Sequence, residues 1–165
     1  MPIKGSTTTS RLVAATLVLG LTACARPHIS PLAPPPYRAE VGADYDATWT
    51  ALIRAVARQN LAVRAIARDS GVIASDDIIT PIGLYADCGR SGDDRLEGEA
   101  LVSFTLFVEA DGAGRTRVQI NSLMRTQAHR RGASGSLRPQ PVYQCASTGR
   151  FEANLLDSVR ELVGK

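Results

Sequence analysis

Leu101-Val-Ser-Phe-Thr-Leu-Phe-Val-Glu109, then Ala110-Asp-Gly-Ala-Gly114, then Thr116-Arg-Val-Gln-Ile-Asn-Ser-Leu-Met-Arg125: two alternating runs about a glycine-bearing turn decide the fold. In the first run Val102, Phe104, Leu106 and Val108 share one face. In the second, Val118, Ile120 and Met124 share a face, and Arg117, Gln119, Asn121 and Arg125 take the other. A period of two with one apolar face is the mark of an antiparallel sheet half in contact with water, and the turn suits a hairpin. Working towards the N-terminus, Leu61–Ala67 and Gly71–Asp76 read as two shorter strands joined by Arg68-Asp69-Ser70. Before them the period changes. Tyr45, Trp49, Leu52, Ile53 and Val56 form a helical stripe, with Asp44 as N-cap and Asn60 as stop.

Beyond the central hairpin, Phe151, Leu155, Val159 and Leu162 give a second amphipathic helix from about Gly149 to Val163, with Ser147 or Thr148 available as a cap. Two stretches carry no such period: Ile79 to Gly98, rich in glycine and acids, and Thr126 to Ala146, which holds two prolines. Both are expected to be irregular. The expected fold is therefore α+β and two-layered: about four antiparallel strands with two helices packed on one face, in the order α-β-β-β-β-α. Residues 39–165 are expected to form that single domain.

The N-terminal stretch reads differently. Lys4 and Arg11 give a basic start, Leu12–Gly20 a short apolar run, and Leu21-Thr22-Ala23-Cys24 a small-residue site ending in a thiol. A bilayer span needs about 20 apolar residues, so this run is an export signal rather than an anchor. Residues 1–23 are expected to be a lipoprotein signal peptide and Cys24 the acylated residue, because Leu-Thr-Ala-Cys matches the bacterial lipobox. The plainer alternative is an ordinary secretory signal cut after Ala23. Residues 24–38 would then be a lipidated tether, with five prolines between Ala25 and Tyr37 favouring an extended chain. His28 falls in that tether and is read as solvated.

Export bears on charge and redox state. The chain has 19 Lys+Arg and 16 Asp+Glu; removing Lys4 and Arg11 leaves 17 against 16, a net of +1. No clustered positive field of the kind nucleic acid requires is present, and nucleic acid is not expected as a partner. With Cys24 acylated, Cys88 and Cys145 remain, and in an oxidising compartment an even pair is expected to bridge. A metal site or free thiols are the alternatives, but there is no C-x-x-C and the chain has 2 histidines. No metal and no cofactor is expected. Asp76-Asp77 and Asp93-Asp94, with Glu97 and Glu99, lack calcium-loop spacing and read as solvated loop. Arg125, His129, Arg130 and Arg131, with Arg138, form a basic patch that is either a solvated loop or a contact for lipid phosphates or an anionic partner. Tyr45 and Trp49 read as helix core rather than a sugar platform. With no G-x-S-x-G elbow and a single histidine in a polar loop, nucleophilic catalysis has no support.

Tyr45-Asp-Ala-Thr-Trp-Thr-Ala-Leu-Ile53 and Ala65-Ile-Ala-Arg-Asp-Ser-Gly-Val-Ile-Ala-Ser-Asp76 together resemble a unit of small envelope lipoproteins: a helix carrying a Trp, then a hairpin around Ser-Gly-hydrophobic. That unit is similar to the helix-grip domains of the C lipoprotein of the outer-membrane β-barrel assembly machine. Cys145-Ala-Ser-Thr-Gly-Arg-Phe-Glu152 resembles the start of the last helix in small lipoproteins of the same kind. The resemblance implies a lipid-anchored protein of the outer membrane facing the periplasm, with the membrane and envelope proteins as partners. This chain has one such unit where the assembly lipoprotein has two, so a role in barrel assembly is not transferred. The expected function is a non-enzymatic interaction or scaffold module. A carrier for a small hydrophobic ligand, gripped between helix and sheet, is the second reading, and an enzyme is placed last.

Overall fold

A computed structural model of the chain describes residues 37–91, 94–96, 98–131 and 137–164. In chain order these hold β1 (Tyr37–Val41), α1 (Tyr45–Arg58), β2 (Val63–Ala67), β3 (Val72–Ser75), β4 (Ile78–Pro81) and β5 (Ala86–Asp87). They continue with β6 (Arg90–Ser91), β7 (Asp94–Arg95), β8 (Glu99–Ala110), β9 (Thr116–Arg131), β10 (Leu137–Ser147) and α2 (Arg150–Val163). The alternating runs are the centre of the sheet. β8 and β9 pair without a break from Ala100↔Thr126 to Ala110↔Thr116. Val102, Phe104, Leu106, Val108, Val118, Ile120 and Met124 are all buried, as their period requires. The turn is closed by Asp111 N–H donating to Arg115 C=O at 2.9 Å. Gly112, Ala113 and Gly114 all have positive φ, and the two glycines adopt it without steric cost.

The four-stranded sheet with two helices on one face does not form. Among the described residues the antiparallel sheet has 8 strands, with β6 and β7 paired separately as a 2-stranded ribbon. A strand also precedes the first helix, so the order α-β-β-β-β-α is replaced. The extra strands arise because each long central strand shares its outer edge between two partners. Along β9, β1 occupies the first part, from Val41↔Thr116 to Tyr37↔Ile120, and β10 the rest, from Cys145↔Met124 to Leu137↔Arg131. Along β8, β3 pairs at Val72↔Phe107 to Ala74↔Thr105 and β4 at Ile78↔Val102 to Pro81↔Glu99. Between β3 and β4 the register slips by one residue, and the Phe104 N–H that would lose its ladder partner donates to Ser75 Oγ at 2.8 Å instead.

Both stretches expected to be irregular contribute strands. Thr126–Arg131 prolongs β9, and its polar sequence, without an alternating apolar face, hides this. β10 carries Pro139 and Pro141, which argue against a central strand. They are accommodated at a register irregularity between Pro139 and Val142.

Both helices take their expected places within a residue or so. Asp44 caps α1, accepting from Ala47 N–H at 2.8 Å. Its buried face is Thr48, Trp49, Ala51, Leu52, Ala55 and Val56, so the small residues Ala51 and Ala55 bury where Tyr45 and Ile53 only half do. α2 starts on Gly149 at φ 79, without a side-chain cap. Ser147 and Thr148 serve otherwise: Ser147 Oγ accepts from Gly149 N–H at 3.0 Å, and Thr148 Oγ donates to Leu84 C=O at 3.1 Å. The helices touch each other, with Gln59 Nε2 donating to Ser158 Oγ at 2.9 Å. Phe104 and Phe151 meet at 5.2 Å between ring centroids, which joins α2 to the sheet in one core. Within that core Glu152 is buried and accepts from Ser122 Oγ and, at 2.9 Å, from Ser147 Oγ. Its place in the first turn of α2 adds the favourable end of the helix dipole.

Candidate functional site

Strand alternation that buries the even-numbered side chains of β8 and β9 turns the odd-numbered ones to the opposite face, where water reaches them. That face carries both polar and apolar side chains. Arg38, Glu40, Glu109, Arg117 and Gln119 surround a shallow depression of ≈ 500 Å3 where β1, β9 and β8 adjoin, and Phe107 and Asn121 border a smaller one beside it. The polar groups satisfy one another. Arg38 Nε donates to Gln119 Oε1 at 2.9 Å, Gln119 Nε2 to Asn121 Oδ1 at 3.0 Å, and Arg117 Nη2 to Asp111 Oδ1 at 2.8 Å. Arg115 lies 3.5 Å from Glu40. The Arg115–Glu40 ion pair is exposed and worth at most about 1 kcal/mol.

Towards the other end the same face exposes apolar side chains among polar ones. Register aligns Ile79, Leu101, Arg125 and Gln144 across four strands. Ile79 is 64% exposed, Val142 56% and Leu123 42%, although each stands in a strand. Arg125 crosses this zone to Asp77, its Nη2 donating to Oδ1 at 2.8 Å and to Oδ2 at 3.0 Å, while its Nε is buried without a partner. The register slip before β4 is what brings Asp77 within reach.

The residues singled out from sequence fare differently. Cys88 and Cys145 are disulfide-bonded, with Cα atoms 4.4 Å apart. β5 pairs β10 at Asp87↔Ala146 and Ala86↔Ser147, so one further step sets Cys88 opposite Cys145. The 4.4 Å separation is that of a non-hydrogen-bonded antiparallel pair, about 4.5 Å. Arg125 is engaged by Asp77. His129, Arg130 and Arg131 continue β9 rather than a loop; their side chains lie outside the described residues. Cys24, the signal peptide and the tether up to residue 36 lie outside them too, as do Asp93 and Glu97. Asp76 and Asp77 sit at the slip between β3 and β4 rather than in a regular strand. Trp49 is buried and stacks on Tyr45 at 5.9 Å. Among the described residues no group of three His, Cys, Asp or Glu could hold a metal ion, and no helix is long and apolar enough to cross a membrane.

The exposed apolar zone was missed from sequence, because Leu123 and Val142 look unremarkable in single strands. Only the register, which aligns neighbouring strands, places them on one face of the sheet. Compared with known proteins, the chain matches no family model and no curated relative.

Proposed function

We propose that the chain is a lipoprotein of the cell envelope, anchored through acylated Cys24 to the outer membrane and facing the periplasm, whose folded domain is a non-enzymatic interaction module for another envelope protein. The observation that carries the module reading is the exposure of Ile79, Leu123 and Val142 on one face of the sheet, at strand positions around Arg125, which Asp77 already engages. Exposed apolar side chains set among polar groups are the usual anatomy of a protein-binding surface. The Cys88–Cys145 bridge agrees with an oxidising compartment. The depression at the other end of that face is lined by arginine and glutamate, which suits a polar partner better than the hydrophobic ligand of the carrier reading.

A photo-crosslinker placed at Leu123 in intact envelopes tests this. A discrete protein adduct is expected, lost when Val142→Asp is added although the melting temperature is unchanged, and absent when the crosslinker replaces Arg54 on α1. Adducts that persist with Val142→Asp refute the docking face, and a co-purified lipid seen by native mass spectrometry would return the carrier reading. The anchor has its own test. Cys24→Ser should abolish incorporation of a fatty-acid analogue, and undiminished label would refute acylation there.

A further inference from the structure

On the face of the sheet that water reaches, β1 and β8 flank β9, and the register sets two rows across the three strands. Arg38, Gln119 and Phe107 form one row, and Glu40, Arg117 and Glu109 the next. These rows line the depression described above and the smaller one beside it. Their mixed sign selects the ligand. A simple anion drawn to the arginines would meet Glu40 and Glu109, and a simple cation would meet Arg38 and Arg117. Only a molecule carrying both charges is matched throughout. The existing ion pairs determine which side chains are left to take it. Glu40 is engaged by Arg115 at 3.5 Å, and Arg117 by Asp111 at 2.8 Å. Among the described residues Arg38 makes no ion pair, and Glu109 meets a cation only at 3.9 Å, from Arg117. The two uncommitted charges, Arg38 and Glu109, stand at opposite corners of the rows.

Arg38 is oriented for a carboxylate. Its Nε donates to Gln119 Oε1 at 2.9 Å, and Gln119 Nε2 donates in turn to Asn121 Oδ1 at 3.0 Å. The side chain is thereby drawn towards β9, while Nη1 and Nη2 remain as a fork. Two parallel N–H donors of this kind are what a carboxylate accepts. At the other corner Glu109 offers its oxygens to an ammonium. Phe107, two residues away on the same face of β8 and 38% exposed, offers an apolar surface beside it. The corners lie about 12 Å apart between Cα atoms, given about 4.8 Å between strands and about 3.4 Å per residue along them. Arg38 leans across part of that gap, and two or three extended residues, about 7–10 Å, cover the rest. We propose that this depression binds a short peptide with free termini, its carboxylate on Arg38, its ammonium on Glu109 and its first side chain against Phe107. The site is distinct from the acylated anchor and from docking through Leu123 and Val142, and it depends on neither.

The test titrates the full exported chain, in detergent, with the tripeptide Leu-Ala-Ala by calorimetry. The same peptide amidated at its C-terminus and the same peptide acetylated at its N-terminus are titrated alongside. The free peptide is expected to bind, and blocking either end to weaken binding about tenfold, the effect of one hydrogen-bonded charge. Arg38→Gln should lose about tenfold towards the free peptide and nothing further towards the amide. Glu109→Gln should lose about tenfold towards the free peptide and nothing further towards the acetylated form. Arg54→Gln, at an exposed position of α1, should leave every affinity unaltered. Amide chemical shifts in the unaltered protein locate the site without any variant, and should move at Arg38, Phe107, Glu109, Arg117 and Gln119. No binding of the free peptide at millimolar concentration, or equal binding of the blocked forms, overturns the proposal. So does undiminished affinity in either variant, or shifts centred on Leu123 and Val142.

Discussion

Gly71 shows how one residue can fix the spacing of two strands. It ends the turn between β2 and β3 at φ +66, and its carbonyl accepts from Val108 N–H at 2.8 Å. A Cβ at this position would lie 2.1 Å from the Val108 carbonyl oxygen, which belongs to the central strand and cannot swing aside. Gly71→Ala therefore combines a left-handed backbone, about 1–2 kcal/mol for an alanine, with a backbone clash, and should cost at least about 2 kcal/mol. Gly112 is the control: its φ of +68 is similar but a Cβ there meets nothing within 4 Å. Gly112→Ala should cost only the conformational part, about 1 kcal/mol. Denaturant midpoints of the two variants decide it, and equal losses would show that the approach to Val108 is not the constraint.

At the scale of elements, the central hairpin separates its two faces by energy. Phe104 is buried and meets Phe151, whereas Thr105 points to the open side. Phe104→Ala should cost about 3–5 kcal/mol, and Thr105→Ala should stay within about 0.5 kcal/mol; comparable losses would mean that both faces are covered. The period of two that makes this contrast was legible in the order of the residues, as were both helices, whose stripes and the Asp44 cap are local signals. Strands β1, β4, β5 and β10 were not. Each is short, polar, or interrupted by proline; β1, β4 and β5 are held by strands far away in sequence, and β10, which follows β9 directly, is masked by its prolines. The same limit applied to the site. Cys88 and Cys145 could be paired by counting, but that they face one another across β5 and β10 needed the register. The bridge spans a sequence separation of 57, for which loop-closure entropy gives about 4 kcal/mol. Cys88→Ser with Cys145→Ser should lower the melting temperature accordingly. Recovery of both as free thiols in peptide maps of the exported protein would remove the staple altogether.

For the whole molecule, sheet topology predicts where it opens first. β8 and β9 are paired along both edges, β8 by β9 on one side and by β3 and β4 on the other, β9 by β8 and by β1 with β10. Their inward side chains also carry the core, so their amides can exchange only when most of the domain unfolds. β2 is the contrasting case: it pairs only with β3, and all but the first of its residues are exposed. β5 is shorter still, joined to β10 by two residue pairs and by the adjacent disulfide. Hydrogen exchange of the oxidised protein should therefore show slowest exchange at the centre of β8 and β9, fast exchange in β2, and intermediate protection in β5. Removing the bridge should release β5 and the last residues of β10 while β8 and β9 slow or quicken only with the global stability. This pattern follows because the bridge closes the loop at the end of the sheet, away from the doubly paired centre. If the amides of Phe104, Leu106, Val118 and Ile120 exchanged as readily as those of β2, the domain would not be organised around the central hairpin, and the edges that β1, β4 and β10 share would not be the ones described.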